Sequence, residues 1–82
     1  MPETVDVREA ECGCVLSWSA SPDMWIISKH CSHGQELWRA VRRTAIEYDR
    51  DRARYAAYHD ANIAWNEHRQ AALRNAGVKN GE

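Results

Sequence analysis

The 82-residue sequence predicts an α+β chain, a β-hairpin followed by one long α-helix. Three observations carry that expectation. Cys12 and Cys14 precede the turn sequence Ser21-Pro22-Asp23, and Cys31 and His33 follow it at matching distances. The residues between those pairs alternate as strands do. From Gln35 to Asn75 the chain contains neither proline nor glycine, so nothing interrupts a helix.

Residues 1–11 are acidic, lack an apolar segment and read as a flexible N-terminal arm, not a signal peptide. Residues 12–34 form the hairpin. Folding between Pro22 and Asp23 sets Cys14 opposite Cys31 and Cys12 opposite His33. Leu16, Trp18, Ala20, Trp25 and Ile27 then share the cysteine face, which buries. Ser17, Ser19, Ser28 and His30 face water, with Val15, Met24 and Ile26 among them. Residues 35–76 form the helix, and residues 77–82 read as its stop and a tail. Residues 12–76 make a single domain.

Three thiolates and an imidazole converging on one face suit zinc. Cys12, Cys14, Cys31 and His33 are the expected ligands of a Zn2+ ion that staples the hairpin. A flat ladder holds four ligands in a rectangle, whereas zinc takes a tetrahedron with bonds of about 2.0–2.3 Å. The chain must therefore bend. Gly13 can supply a knuckle between the first two cysteines. The preferred arrangement has Ser32 capping the helix, Gln35 completing a capping box and His33 donating from the first turn. His30 is the spare ligand, but strand parity turns it to the opposite face.

Two ligands before a hairpin and two at the entry to a helix resemble the treble-clef and zinc-ribbon proteins. The resemblance covers Cys12 to Gly34 and implies a zinc hairpin there. Both ligand pairs here have one intervening residue, where that pattern usually has two or more.

Composition excludes several functions. A net charge of −1 argues against a chain built chiefly to neutralise phosphate. No apolar run approaches a membrane span. Three cysteines cannot all pair within the chain, and clustered beside histidine they read as metal ligands of a cytoplasmic protein. Four protein ligands leave zinc no open position for water, and the Cys31–His33 pair lacks a third catalytic member. The chain is therefore not expected to be an enzyme.

A helix from Gln35 to Asn75 would be about 60 Å long at 1.5 Å per residue, while a seven-residue strand spans about 23 Å. The hairpin can cover Leu37, Trp38, Val41 and Ala45 but not the distal aromatics. Tyr55, Tyr58, Asn62, Ile63 and Trp65 are thus the expected partner-binding residues, with Asn62 able to fix register. Asp51 and Arg69 interrupt a clean zipper. A helix folded back near Tyr48–Arg52 would remove the need for a partner, but no Gly or Pro turn signal is present. The expected function is a non-catalytic zinc-binding adapter or regulator acting by protein contact, as a homodimer or on a host or partner protein. A phage-encoded origin would suit so small a module. The alternative is a nucleic-acid-binding zinc module using Arg39, Arg42 and Arg43. Against it, Glu47–Arg50, Asp49–Arg52 and Asp51–Arg54 have the spacing of surface ion pairs on a solvated face.

Overall fold

The computed structural model describes residues 4–20 and 23–77. It is α+β: an antiparallel three-stranded sheet followed by helix. The strands are β1 (Thr4–Glu9), β2 (Val15–Ala20) and β3 (Asp23–Lys29), with β2 in the centre. Helices α1 (Ser32–Arg50) and α2 (Tyr55–Asn75) follow, joined by a 3₁₀ turn at Arg52–Arg54.

Strand β1 lies within the segment expected to be a loose arm. Its charges hid it, yet charges belong on an edge strand, where they discourage pairing with other chains. Asp6 and Arg8 form an ion pair at 3.1 Å, and the Arg8 guanidinium lies 5.6 Å from the centre of the Trp25 ring. The β1–β2 loop is Glu11-Cys12-Gly13. The Gly13 N–H donates to the Ala10 carbonyl and the Ala10 N–H to the Cys14 carbonyl, both at 2.9 Å. Gly13 has φ +94°, a left-handed conformation that suits glycine at this position of a three-residue hairpin loop.

In the β2–β3 hairpin Leu16 pairs with Ile27, Trp18 with Trp25 and Ala20 with Asp23. The expected turn at Ser21 and Pro22 lies outside the described residues. From Leu16 to Ala20 this register is two residues away from the expected one, and a shift of two leaves those side chains on their expected faces. A bulge between Val15 and Leu16 breaks the register at the cysteine end, and His30, expected to face water, packs against Trp38 and Trp65. Leu16 is fully buried, and the Trp18 and Trp25 rings meet edge-on at 5.4 Å. The serine face is only partly exposed. Ser17 and Ser19 are buried because β2 is central, and Val7 and Ile26 pair with Ser17 from either side. The Ser17 hydroxyl donates to Ser28 at 2.9 Å, so that buried oxygen is satisfied.

The expected single helix is divided at Asp51, which has extended backbone angles of −147° and 105°. Its N–H closes α1 by donating to the Glu47 carbonyl at 2.8 Å. Its carboxylate caps the next turn by accepting from the Ala53 N–H at 3.0 Å. Asp competes for backbone donors in this way without help from Gly or Pro. The two helices run antiparallel. Trp38 meets Trp65 at 5.3 Å, and near the turn Tyr48 stacks on Tyr58 at 5.4 Å. The longest dimension of the molecule is accordingly 41 Å, well short of a straight helix with a hairpin at one end.

Returning α2 toward the sheet completes the core. Ala10, Cys14, Leu16, Cys31, Ala72 and Leu73 form it, flanked by Trp25, Ile27 and Ala76. Burying Leu16 and Leu73 contributes on the order of 2 kcal/mol each. So small a core is of the kind that small domains supplement with a staple.

Candidate metal centre

Cys12, Cys14, Cys31 and His68 converge at the junction of sheet and helices, with their donor atoms all within 4.8 Å of one another. Cys12 comes from the β1–β2 loop and is exposed, while Cys14, just before β2, is buried. Cys31 is the N-cap of α1, and His68 projects from α2. Three separate parts of the chain thus meet at one point.

His68 stands where His33 was expected. His33 is exposed in the first turn of α1, with its ring 5.1 Å from that of His68. The cap also differs from expectation. Cys31, not Ser32, occupies that position, and its sulfur accepts from the Gly34 N–H at 3.2 Å. A sulfur bonded there cannot be followed by a cap at Ser32, and His33 is carried outward with the helix. Of the two bends considered, the glycine knuckle at Gly13 is the one present.

The distances suit a tetrahedral ion. Bonds of about 2.3 Å to sulfur and about 2.0 Å to nitrogen set those atoms about 3.5 Å apart at a tetrahedral angle. His68 Nε2 lies 3.3 Å from Cys14 Sγ and 3.4 Å from Cys31 Sγ. Backbone donors surround the sulfurs as well. The Cys31 N–H reaches Cys14 Sγ at 3.2 Å, matching the Gly34 contact to Cys31. Such outer contacts orient ligands and offset thiolate charge.

Gly34 provides the space. A Cβ at that position would lie 2.9 Å from His68 Nε2 and 3.5 Å from Cys14 Sγ. Only a residue without a side chain lets the imidazole approach α1 so closely.

Protonation differs among the ligands. Burial pushes the Cys14 thiol up to about 12, and its contacts with the Cys31 and Cys12 thiols reinforce the rise. Burial also opposes ionisation of Cys31, but the Gly34 N–H and the neighbouring thiols outweigh it and lower its pKa. Desolvation, followed by the charges of His33 and His30, lowers the pKa of His68 and favours the neutral imidazole that can bind a metal. Three thiols this close cannot all ionise alone, and a cation among them removes the conflict.

The other expected site residues are dispersed. Trp65 is buried between Trp38 and His30, and Tyr58 is half-buried on Tyr48. Asn62 is also half-buried, leaving Tyr55 and Ile63 exposed. The surface those residues were expected to offer a partner is largely spent inside the helical hairpin. Arg39, Arg42 and Arg43 are exposed and form no ion pair among the described residues. The expected i,i+3 ion pairs are absent among those residues too. Glu47 instead meets Arg54 across the turn at 3.5 Å.

Sequence reasoning missed His68 because its role depends on the turn at Asp51. One signal was present: His68 falls three residues after Trp65 and four before Ala72, on the buried stripe of α2.

Comparison with protein-family models, curated proteins and solved structures finds no match. Among the described residues, no helix is long and apolar enough to cross a membrane. Fold and site together define a small α+β protein with a Cys3His cluster able to hold a metal ion.

Proposed function

We propose that this protein is a non-catalytic zinc-binding adapter or regulator that acts by contact with another protein. The observation that carries the proposal is the Cys3His set itself. Three soft sulfurs and one imidazole favour zinc over magnesium or calcium, which take oxygen ligands. Four protein ligands fill a tetrahedral shell and leave no position for a reacting water. The ion would join the β1–β2 loop, the start of α1 and the end of α2, stapling the sheet to the helices.

Native mass spectrometry of the purified chain tests this reading, since it reports metal and copy number together. One zinc per chain is expected, and chelation should loosen the hairpin end and lower the melting temperature, because binding and folding are coupled at such sites. A metal-free chain with an unchanged melting temperature would overturn it. Two chains with two zinc ions would identify the partner as a second copy.

The runner-up is nucleic-acid binding through Arg39, Arg42 and Arg43, favoured by their exposure and by the absence of an ion-pair partner among the described residues. Titration with duplex DNA at low and moderate salt decides it. Phosphate binding must weaken steeply as salt rises, and no binding at low salt removes this reading.

A further inference from the structure

We infer that the cleft between β3 and the helical hairpin docks an acidic segment of another protein, whose apolar side chain sits against Trp38 and whose neighbouring carboxylate meets Arg69. The inference rests on the protein-contact reading and names a surface for it.

The cleft has a volume of about 260 Å³ and is lined by Ile26, Ile27, His30, Trp38, Trp65 and Arg69. Small-molecule sites usually occupy roughly 300–1,000 Å³, so this one fits a single large side chain better than a cofactor. Its wall is preformed: Trp65 is fixed between Trp38 at 5.3 Å and His30 at 5.0 Å. Ile26 is 42 % exposed and Trp38 38 %, large apolar surfaces beside a concave site. Tryptophan and arginine are also the residues that most often dominate interface energetics.

Charge identifies the occupant. Arg69 is half-buried, yet no carboxylate lies within 4.0 Å of it among the described residues. Arg8 and Arg54, by contrast, have acidic partners at 3.1 and 3.5 Å. Arg42 lies one helical turn beyond Trp38, exposed and likewise without a carboxylate. A half-buried arginine lining an apolar cleft is completed by a carboxylate held against its guanidinium. A stacked nucleobase fits less well. Trp65 is only 9 % exposed, and the two indoles are inclined at 42°, so they form no parallel slot.

The test is selection of a phage-displayed random peptide library on the zinc-loaded full chain, with synthetic hits measured by fluorescence anisotropy. Enriched peptides should pair a large apolar residue with a nearby Asp or Glu. Trp38→Ala and Arg69→Glu should each weaken them at least about thirtyfold, the range of an interface hot spot. Exchanging the peptide's acid for Lys should restore binding to Arg69→Glu. Zinc content and melting check that each variant folds, and the exposed Ile26→Lys substitutes for Trp38→Ala if that one does not. Hits without an acid, or hits that bind the variants as well as wild type, overturn the cleft assignment but leave protein contact standing. A single-stranded oligothymidylate that binds wild type at moderate salt and displaces the peptide reassigns the cleft to nucleic acid. No enriched peptide, together with a monomer in native mass spectrometry, overturns both readings.

Discussion

Gly34 and His68 are in direct steric register: the position of a Gly34 Cβ lies 2.9 Å from His68 Nε2. A ring atom seated between Cys14 and Cys31 cannot yield as the end of an exposed flexible side chain can. Gly34→Ala must therefore displace α2 from α1 or turn His68 away from the sulfurs. Alanine itself favours helix by about 1 kcal/mol over glycine, so propensity and site geometry act in opposite directions. The expected outcome is a loss of zinc affinity of about 10- to 100-fold, as for other groups that position ligands. Competition with a chromophoric chelator measures it. Unchanged affinity would show that the imidazole does not ligate from this position.

His68 and His33 make a paired prediction. Their rings are 5.1 Å apart, but only His68 shares the cluster with the cysteines. His68→Ala should lose tight zinc binding and melt at a lower temperature than wild type when both are scanned with zinc present. His33→Ala should change neither by much, since an exposed substitution is usually worth within about 0.5 kcal/mol. The reverse result would restore the sequence-based ligand assignment.

The contrast between those two histidines shows what was legible in the sequence. Cys12, Cys14 and Cys31 were readable because local spacing about one hairpin brings them near each other. The faces of β2 and β3 survived even a two-residue error in register, since period-two alternation is insensitive to an even shift. His68 was unreadable without a reversal at Asp51, and Asp51 lacks the usual Gly or Pro signal. Strand β1 was obscured for a related reason, as its Asp6, Arg8 and Glu9 look like a solvated arm until β2 is beside them.

Asp51 provides a third test. It caps the inter-helix turn through the Ala53 N–H at 3.0 Å, the contact that reverses the chain. Asp51→Ala should cost about 1 kcal/mol, typical of a lost N-cap, and Asp51→Asn should retain most of it. For a domain of this size that corresponds to a melting shift of about 4–8 °C. Circular dichroism during thermal unfolding distinguishes the two variants. Equal melting temperatures for wild type and alanine would mean that aromatic packing alone sets the turn.

Acid should weaken the protein through His68. Its folded pKa lies below the ordinary histidine value because of burial and the nearby His33 and His30. The unfolded state therefore takes up that proton first as pH falls. The stability contributed by neutral His68 is fully present above the ordinary histidine pKa and is lost as pH falls toward the lower folded value. Zinc affinity should fall over the same window, and zinc binding should release thiol protons, including that of Cys14. Melting against pH with chelator present checks the first statement, and His68→Gln should flatten the profile. A profile unchanged by that substitution would assign the acid sensitivity elsewhere.

The aromatic residues of α2 separate packing from partner contact. Trp65 is 9 % exposed and lies against both Trp38 and His30, whereas Tyr55 is 55 % exposed. Trp65→Ala should cost about 3–5 kcal/mol as a core truncation. In a domain with so small a core that is a large fraction of total stability. Any loss of association in that variant would consequently report unfolding, so it cannot map an interface. Ile63→Ala should stay within about 0.5 kcal/mol of wild type, and Tyr55→Ala, which loses ring contacts with Tyr48 and His59, should cost about 1 kcal/mol, making both mild probes of the outer face of α2. If native mass spectrometry finds a dimer and those substitutions dissolve it with zinc still bound, α2 carries the self-contact. If the dimer survives both, the outer face of α2 is not the interface.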